Sequence, residues 1–307
     1  MRRTVLIAAL AALCACQRTD DRRASPTPVA PASSAPFLAP AGFTRLRVSS
    51  TPHLDPGNLK TTHQPLADYL AGHLRVEVEM QVAESYDEVG QQLGRGEVDL
   101  AEFSPFAYVR AIAANPGLLP IADSISEGSA TSGAYVVVRA ESALHTLEDL
   151  RGKSLGFVDP ASTSGYLLPM RMFKERGIDP ATYFSLVEFT GNHEALLLSV
   201  LEGRIDSGAT YQGAMPALQR SKGIDPLSFR IIAKTGRSPH DVFCVRPGLP
   251  AEVTAELERL LLSVSSATPD GRRILAPMAV NGFTPHDEHR YDEVREAFAA
   301  IADGGPR

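Results

Sequence analysis

Cysteine is scarce: Cys14 and Cys16 fall in the first segment of the chain and Cys244 is the only one beyond it. No internal disulfide is available to the folded part, and Val242-Phe243-Cys244-Val245 reads as a buried strand in which a free thiol acts as a small apolar group. Positive charge is not in excess. A formal net charge of −6 and a pI near 5.8 give no footprint for nucleic acid, so an anion would have to be held by local dipoles. No G-x-S-x-G elbow surrounds Ser164, which argues against a serine hydrolase built from Ser164, His193 and Asp241. His286 and His289 have no third ligand cluster in the sequence, so neither a metal centre nor any other cofactor is expected. Internal repeats and coiled-coil heptads are also missing.

The apolar run 5–13, behind Arg2-Arg3, is too short to cross a bilayer as a mature helix and reads as the core of an export signal. Leu13-Cys14-Ala15-Cys16 resembles a bacterial lipobox. That resemblance implies a lipoprotein signal peptide over 1–16 and Cys16 as the lipid-modified first mature residue, on the periplasmic face of a bacterial membrane. Residues 17–42 are rich in Pro, Ala, Ser and charge and read as a disordered tether, with a reach on the order of 80 Å if extended.

The remainder of the 307 residues, 44% hydrophobic over the whole chain, is enough for one or two cores. Strand and helix patterns alternate. Apolar strands are read at 46–48, 76–82 and 98–101, with helices at 59–74, 86–93 and around Tyr108 and Val109. Strands 134–139 and 241–246 suit a chain that leaves one lobe and later returns. Between them lie a strand at 154–158, helices from 166 and over 194–201, and a strand at 205–210. Helices at 252–265 and 291–301 are expected to pack back on the first lobe. The expected organisation is an α/β protein with lobe 1 from 43–137 and 244–303 and lobe 2 from 138–243, joined by a two-strand hinge. Each lobe is expected to be an open, mostly parallel sheet flanked by helices.

The stretch with the most chemistry is Gly156-Phe157-Val158-Asp159-Pro160-Ala161-Ser162-Thr163-Ser164-Gly165-Tyr166. A buried strand hands over through a hydroxyl-rich turn to a helix start, where unpartnered amides and the helix dipole attract small oxyanions. One cap needs one hydroxyl. Three in a row, followed by Gly165, which leaves room for a ligand near the backbone, exceed that need.

Leu147-Glu-Asp-Leu-Arg-Gly-Lys153 followed by Asp159-Pro-Ala-Ser-Thr-Ser-Gly-Tyr166 resembles the signature of the phosphate, phosphite and phosphonate substrate-binding proteins of ABC transporters. Gln64-Pro-Leu-Ala-Asp-Tyr-Leu70, Ser85-Tyr86, Val98-Asp-Leu-Ala101, Gly191-Asn-His193 and Ser238-Pro-His-Asp241 are similar to further segments of that family in the same order. The resemblance covers about 45–285. It implies a type II periplasmic binding protein without catalytic turnover, a monomer that delivers a small phosphorus oxyanion to a permease and ATPase. A ligand sensor for a membrane receptor kinase would share the same fold.

Carried over residue by residue, the resemblance implies that Ser162, Thr163 and Ser164 hold the oxyanion, that His193 donates from the opposing side and that Tyr86 adds a phenol. This chain departs from the family in having Ser104 where Gly is frequent, with Glu102 two residues earlier, and no aromatic near Ser132. Tyr211, Gln212 and Asp241 fall where relatives line the pocket. Asp241 has two readings, a partner for an amine or a structural cap after Pro239.

Overall fold

In the computed structural model the described residues are 37–126 and 131–302. The expected signal peptide, the lipidation residue Cys16 and the tether as far as residue 36 lie outside them. The first part of the chain forms β1 (Arg45–Ser50), α1 (Pro56–Leu74), β2 (Glu77–Met80), α2 (Tyr86–Gly94), β3 (Leu100–Phe103), α3 (Pro105–Ala114) and β4 (Leu119–Ile125). The middle part begins with β5 (Thr131–Arg139) and β6 (Ser154–Phe157). A π-helical turn, Thr163–Leu167, then runs straight into α4 (Leu168–Glu175). After it come α5 (Pro180–Tyr183), β7 (Leu186–Phe189), α6 (His193–Leu201), β8 (Ser207–Tyr211), α7 (Ala214–Lys222) and β9 (Phe229–Pro239). The chain closes with β10 (Val242–Val245), α8 (Ala251–Ser263), α9 (Pro269–Leu275), β11 (Gly282–Pro285) and α10 (Asp292–Ala302).

Two sheets result, with strand orders β11-β4-β10-β3-β1-β2 and β7-β6-β8-β5-β9. The two-lobed α/β organisation agrees with the expectation, but the sheets are mixed rather than mostly parallel. β1 pairs in parallel with β2 and β3, while β10 and β11 add antiparallel edges through β3 and β4. In the second sheet β6 is parallel to β7 and β8, and β5 runs antiparallel to β8 and β9. β10 and β5, which run against the parallel strands of their sheets, each border a crossing, whereas β11 does not.

The crossings also lie elsewhere than the hydrophobic pattern suggested. β5 belongs wholly to the second sheet and β10 to the first, so the chain changes sheet between Ile125 and Thr131 and again at 240–241. Apolar strands mark sheet interiors, and the polar segments between them carry the change of direction. The strands that flank the crossings are paired, with Thr131 opposite Pro239 and Asp123 opposite Val242.

Local chemistry accounts for the main elements. Asp55 accepts the amide of Asn58, Pro56 opens α1, and Leu59, Leu66, Leu70 and Leu74 are buried along one face until Arg75 stops the helix at φ 56°. β10 is buried at all four residues because it lies between β3 and β4, and Cys244 sits there as a free thiol. Leu46, Leu70, Phe243, Leu257 and Leu260 fill the first lobe, and Val138, Leu155, Phe157 and Phe173 the second. α8 packs on the first lobe as expected. α10 instead bridges both: Phe298 meets Phe106 of α3 at 5.0 Å, and Lys174 of α4 donates to the carbonyl of Ala300.

Candidate functional site

A cavity of about 490 Å³ lies between the lobes. All eight residues singled out in the sequence line it: Tyr86, Ser104, Ser162, Thr163, Ser164, His193, Tyr211 and Asp241. The arrangement has a simple basis. Tyr86 opens α2, Ser104 immediately precedes α3, Ser162 caps the π turn that leads into α4, His193 opens α6 and Gly213 immediately precedes α7. Five helix starts from both lobes therefore meet one space, and each brings the positive end of its dipole, although the amides of Phe106, Gly165 and His193 already have protein acceptors.

In the central turn the three hydroxyls do different work. Ser162 Oγ accepts the amide of Gly165 at 3.1 Å and is the helix cap. Thr163 Oγ1 accepts the amide of Phe106 across the lobes at 2.8 Å. Its proton stays available to a ligand, because a hydroxyl both accepts and donates. Ser164 makes no comparable side-chain bond among the described residues. Gly165 serves a different end from the one read in the sequence. A β-carbon there would stand 2.6 Å from Val158 Cβ, so the missing side chain lets the helix start pack on the end of β6.

Around this turn the ionisable side chains are mostly neutral. His193 is buried, its Nδ1 is 3.0 Å from Thr210 Oγ1, and burial with His53 nearby lowers its pKa to about 3. Its ring meets Tyr211 edge-on at 4.8 Å. Burial first, then Asp159, pushes the Tyr86 phenol well above its ordinary range, and burial and Asp241 do the same for Tyr211. Both remain neutral donors. Ser104 Oγ is buried against the cavity with no protein partner among the described residues. Two cations were not anticipated: Arg220 and Arg237 line the cavity, both exposed at its edge, Arg237 bonded to Thr131. No lysine is among the lining residues.

His53 was missed. It lines the cavity, its Nδ1 donates to the Thr51 carbonyl at 3.1 Å, and its own carbonyl accepts the His193 amide at 3.1 Å. A signal was there, since Thr51 and His53 directly follow β1 and open sheets gather ligands at strand carboxyl ends. His286 meets Asp123 and Glu288 and His289 meets Asp292, and no metal-holding cluster occurs among the described residues.

Comparison with known proteins agrees with this geometry. The model of the family described as ABC transporter, phosphonate, periplasmic substrate-binding protein matches residues 48–291. The phosphate-import protein PhnD of Mycolicibacterium smegmatis is 29% identical over 226 residues, 70% of each chain. A binding protein component of an ABC phosphonate transporter from Pseudomonas aeruginosa has a TM-score of 0.78 at 21% identity, over 84% of this chain and 87% of that one. PhnD1 of Prochlorococcus marinus in complex with methylphosphonate gives 0.77 at 19% identity, over 85% and 99%.

Proposed function

This chain belongs to the periplasmic substrate-binding proteins of phosphonate ABC transporters, and on that premise we propose that it closes around a phosphonate, phosphite or phosphate and passes it to a permease, working from a lipid anchor at Cys16. It is a binding protein, not an enzyme. In this reading Ser162, Thr163, Ser164, His193, Tyr86, Ser104 and Tyr211 are the contacts to the oxyanion, and the protein acts as a monomer.

The observation that carries the proposal is the meeting of five helix starts from both lobes on one hydroxyl-lined cavity. Burying an anion costs several kcal/mol unless its oxygens are matched by donors. Each charge-assisted hydrogen bond returns about 1.5 to 3 kcal/mol, so a few aligned neutral donors offset that cost without a buried lysine or arginine. Because the donors come from both lobes, closure and binding are one event.

A thermal-shift panel of phosphate, phosphite, methylphosphonate, 2-aminoethylphosphonate and sulfate tests this. At least one phosphorus oxyanion should raise the melting temperature, and the rise should vanish when Ser162, Thr163 and Ser164 are replaced together by Ala. Ser162 is itself a cap, so that variant should also lose about 0.5 to 2 kcal/mol of ligand-free stability. If no phosphorus compound stabilises the wild-type protein, the proposal fails. Anchoring is tested separately: C16S should abolish labelling by a fatty-acid analogue.

A further inference from the structure

His53 sits half-buried on the loop that follows β1, and the backbone of that loop is stitched to two helix starts. Thr51 Oγ1 accepts the amide of Ser104, just before α3, at 3.3 Å. The His53 carbonyl accepts the amide of His193, the first residue of α6, across the lobes at 3.1 Å. One step further along α3, Phe106 donates to Thr163 Oγ1 in the hydroxyl-rich turn. His53 is thereby fixed between the elements that carry the candidate anion contacts, and its ring lines the same cavity.

The ring is held in one tautomer by geometry. Its Nδ1 lies 3.1 Å from the Thr51 carbonyl oxygen, which can only accept, so Nδ1 carries the hydrogen. Nε2 of the neutral ring then keeps a lone pair. It has no hydrogen-bond partner among the described residues and stays accessible from the cavity that the residue lines. His193 is not restricted in this way, because the Thr210 hydroxyl beside its Nδ1 can donate or accept. Asp241 and Gln212 also line the cavity as acceptors, but an ionised Asp241 repels an anion, whereas a neutral imidazole does not.

We propose that His53 Nε2 accepts the hydrogen of the ligand's protonated oxygen, so that the site takes a phosphorus oxyanion in its singly ionised form and discriminates against tetrahedral anions that carry no hydrogen. The inference rests on the anion-binding reading of this cavity and names the protonation state of the ligand within it. Hydroxyls match oxygens that lack a hydrogen, and one lone pair among them matches the oxygen that has one. An oxygen without a hydrogen at that place loses a bond and leaves the lone pair unmatched, and a site built to pair with a hydroxyl strongly rejects the analogue that lacks it. From α1 the ring of His63 faces His53 at 6.2 Å between centres, and Glu102 of β3 lies 2.6 Å from His63. His193 of α6, Tyr211 and Asp241 line the same cavity. Burial lowers the His53 pKa, Glu102 opposes this and His63 adds to it, so the ring is neutral at about pH 7.

The test uses two probes of the same shape. The methylphosphonate monoanion and methanesulfonate carry the same charge and differ by one hydrogen. At about pH 6 the wild type should bind methylphosphonate at least about 100-fold more tightly by calorimetry, and in H53F, which keeps a ring without a lone pair, the preference should drop below about tenfold. Above the second ionisation of methylphosphonate the wild-type affinity should fall about tenfold per pH unit, as the bound form becomes scarce. In H53F that fall should disappear, because only donors remain. A wild-type affinity that rises with pH, or a preference that survives in H53F, overturns the proposal. So does a fall that D241N removes and H53F does not, since the acceptor would then be Asp241.

A second readout needs no variant. Nitrogen-15 spectra of histidine-labelled wild type, assigned through the backbone, should show His53 with its hydrogen on Nδ1 and a bare Nε2 whose signal moves when methylphosphonate is added. A hydrogen on Nε2, or a signal that the ligand leaves in place, overturns the proposal even if H53F does not fold. If no phosphorus oxyanion binds at all, the anion reading fails and this inference falls with it. Binding with the opposite pH profile overturns the inference alone.

Discussion

Thr163 Oγ1 in the second lobe accepts the backbone N–H of Phe106 in the first at 2.8 Å, so a residue of the candidate oxyanion turn also caps a helix across the cleft. Replacing Thr163 by Ala leaves that buried amide unmatched. The cost should be about 1 to 3 kcal/mol in the closed form, a fall in phosphonate affinity of about 5- to 150-fold by calorimetry. T163S keeps the hydroxyl and should stay within a few-fold of the wild type. Equal losses in the two variants would show that the methyl group, not the hydroxyl, matters.

Gly165 has no room for a side chain. G165A would put a methyl group 2.6 Å from Val158 Cβ and 2.9 Å from Ser162 Oγ, so either β6 or the helix start must move. Overpacking of this kind costs about 1 to 3 kcal/mol. The melting temperature should fall and phosphonate affinity with it, since the moved turn is the one that faces the cavity. A variant that melts with the wild type would contradict the packing role.

His193 makes the fold acid-sensitive. Its folded pKa is lowered to about 3, against about 6.5 when unfolded, so between these values the unfolded chain binds more protons. Stability should therefore rise as pH climbs from about 3 to about 6.5. The deficit is fully present below that window and amounts to about 5 kcal/mol. Urea unfolding at several pH values would measure the slope, and H193Q should flatten it. An unchanged slope in H193Q would assign the acid sensitivity to other groups.

Glu194 joins the lobes. It is 5% exposed, accepts from Asn58 Nδ2 of α1 at 2.8 Å and lies 3.0 Å from Lys222 Nζ. Lys222 is exposed and contributes little, so the cross-lobe bond to Asn58 is the one that counts. N58A should favour the open form, with an affinity loss of about 3- to 10-fold that appears mainly as faster dissociation. Small-angle scattering should report a larger ligand-free radius of gyration. A variant as compact and as tight-binding as the wild type would remove Asn58 from the closure.

Much of the molecule was legible because its signals are local. Leu59, Leu66, Leu70 and Leu74 at helical spacing gave α1, and Ser162 at the end of an apolar strand gave the cap of the helix before α4. Less legible were β9 and β11, whose edge positions leave them partly exposed and without clear alternation, and β4, an interior strand whose sequence mixes apolar and polar residues. Tyr183 and Phe184 illustrate the limit. Both are apolar and β-compatible, yet they close α5, because Asp179 caps the turn and Pro180 opens it.

The sequence by itself determined the order of most elements, the two-lobed class and the hydroxyl-rich turn at a helix start, since hydrophobic period and helix-start chemistry depend on neighbours a few positions apart. Only the tertiary structure decided where the chain changes sheet, which five helix starts share one cavity, and that Glu102 is paired with His63, 39 positions away. The charge a buried acid carries depends on which distant group reaches it, and that is fixed by the order of strands in the sheet, not by the residues beside it in the chain.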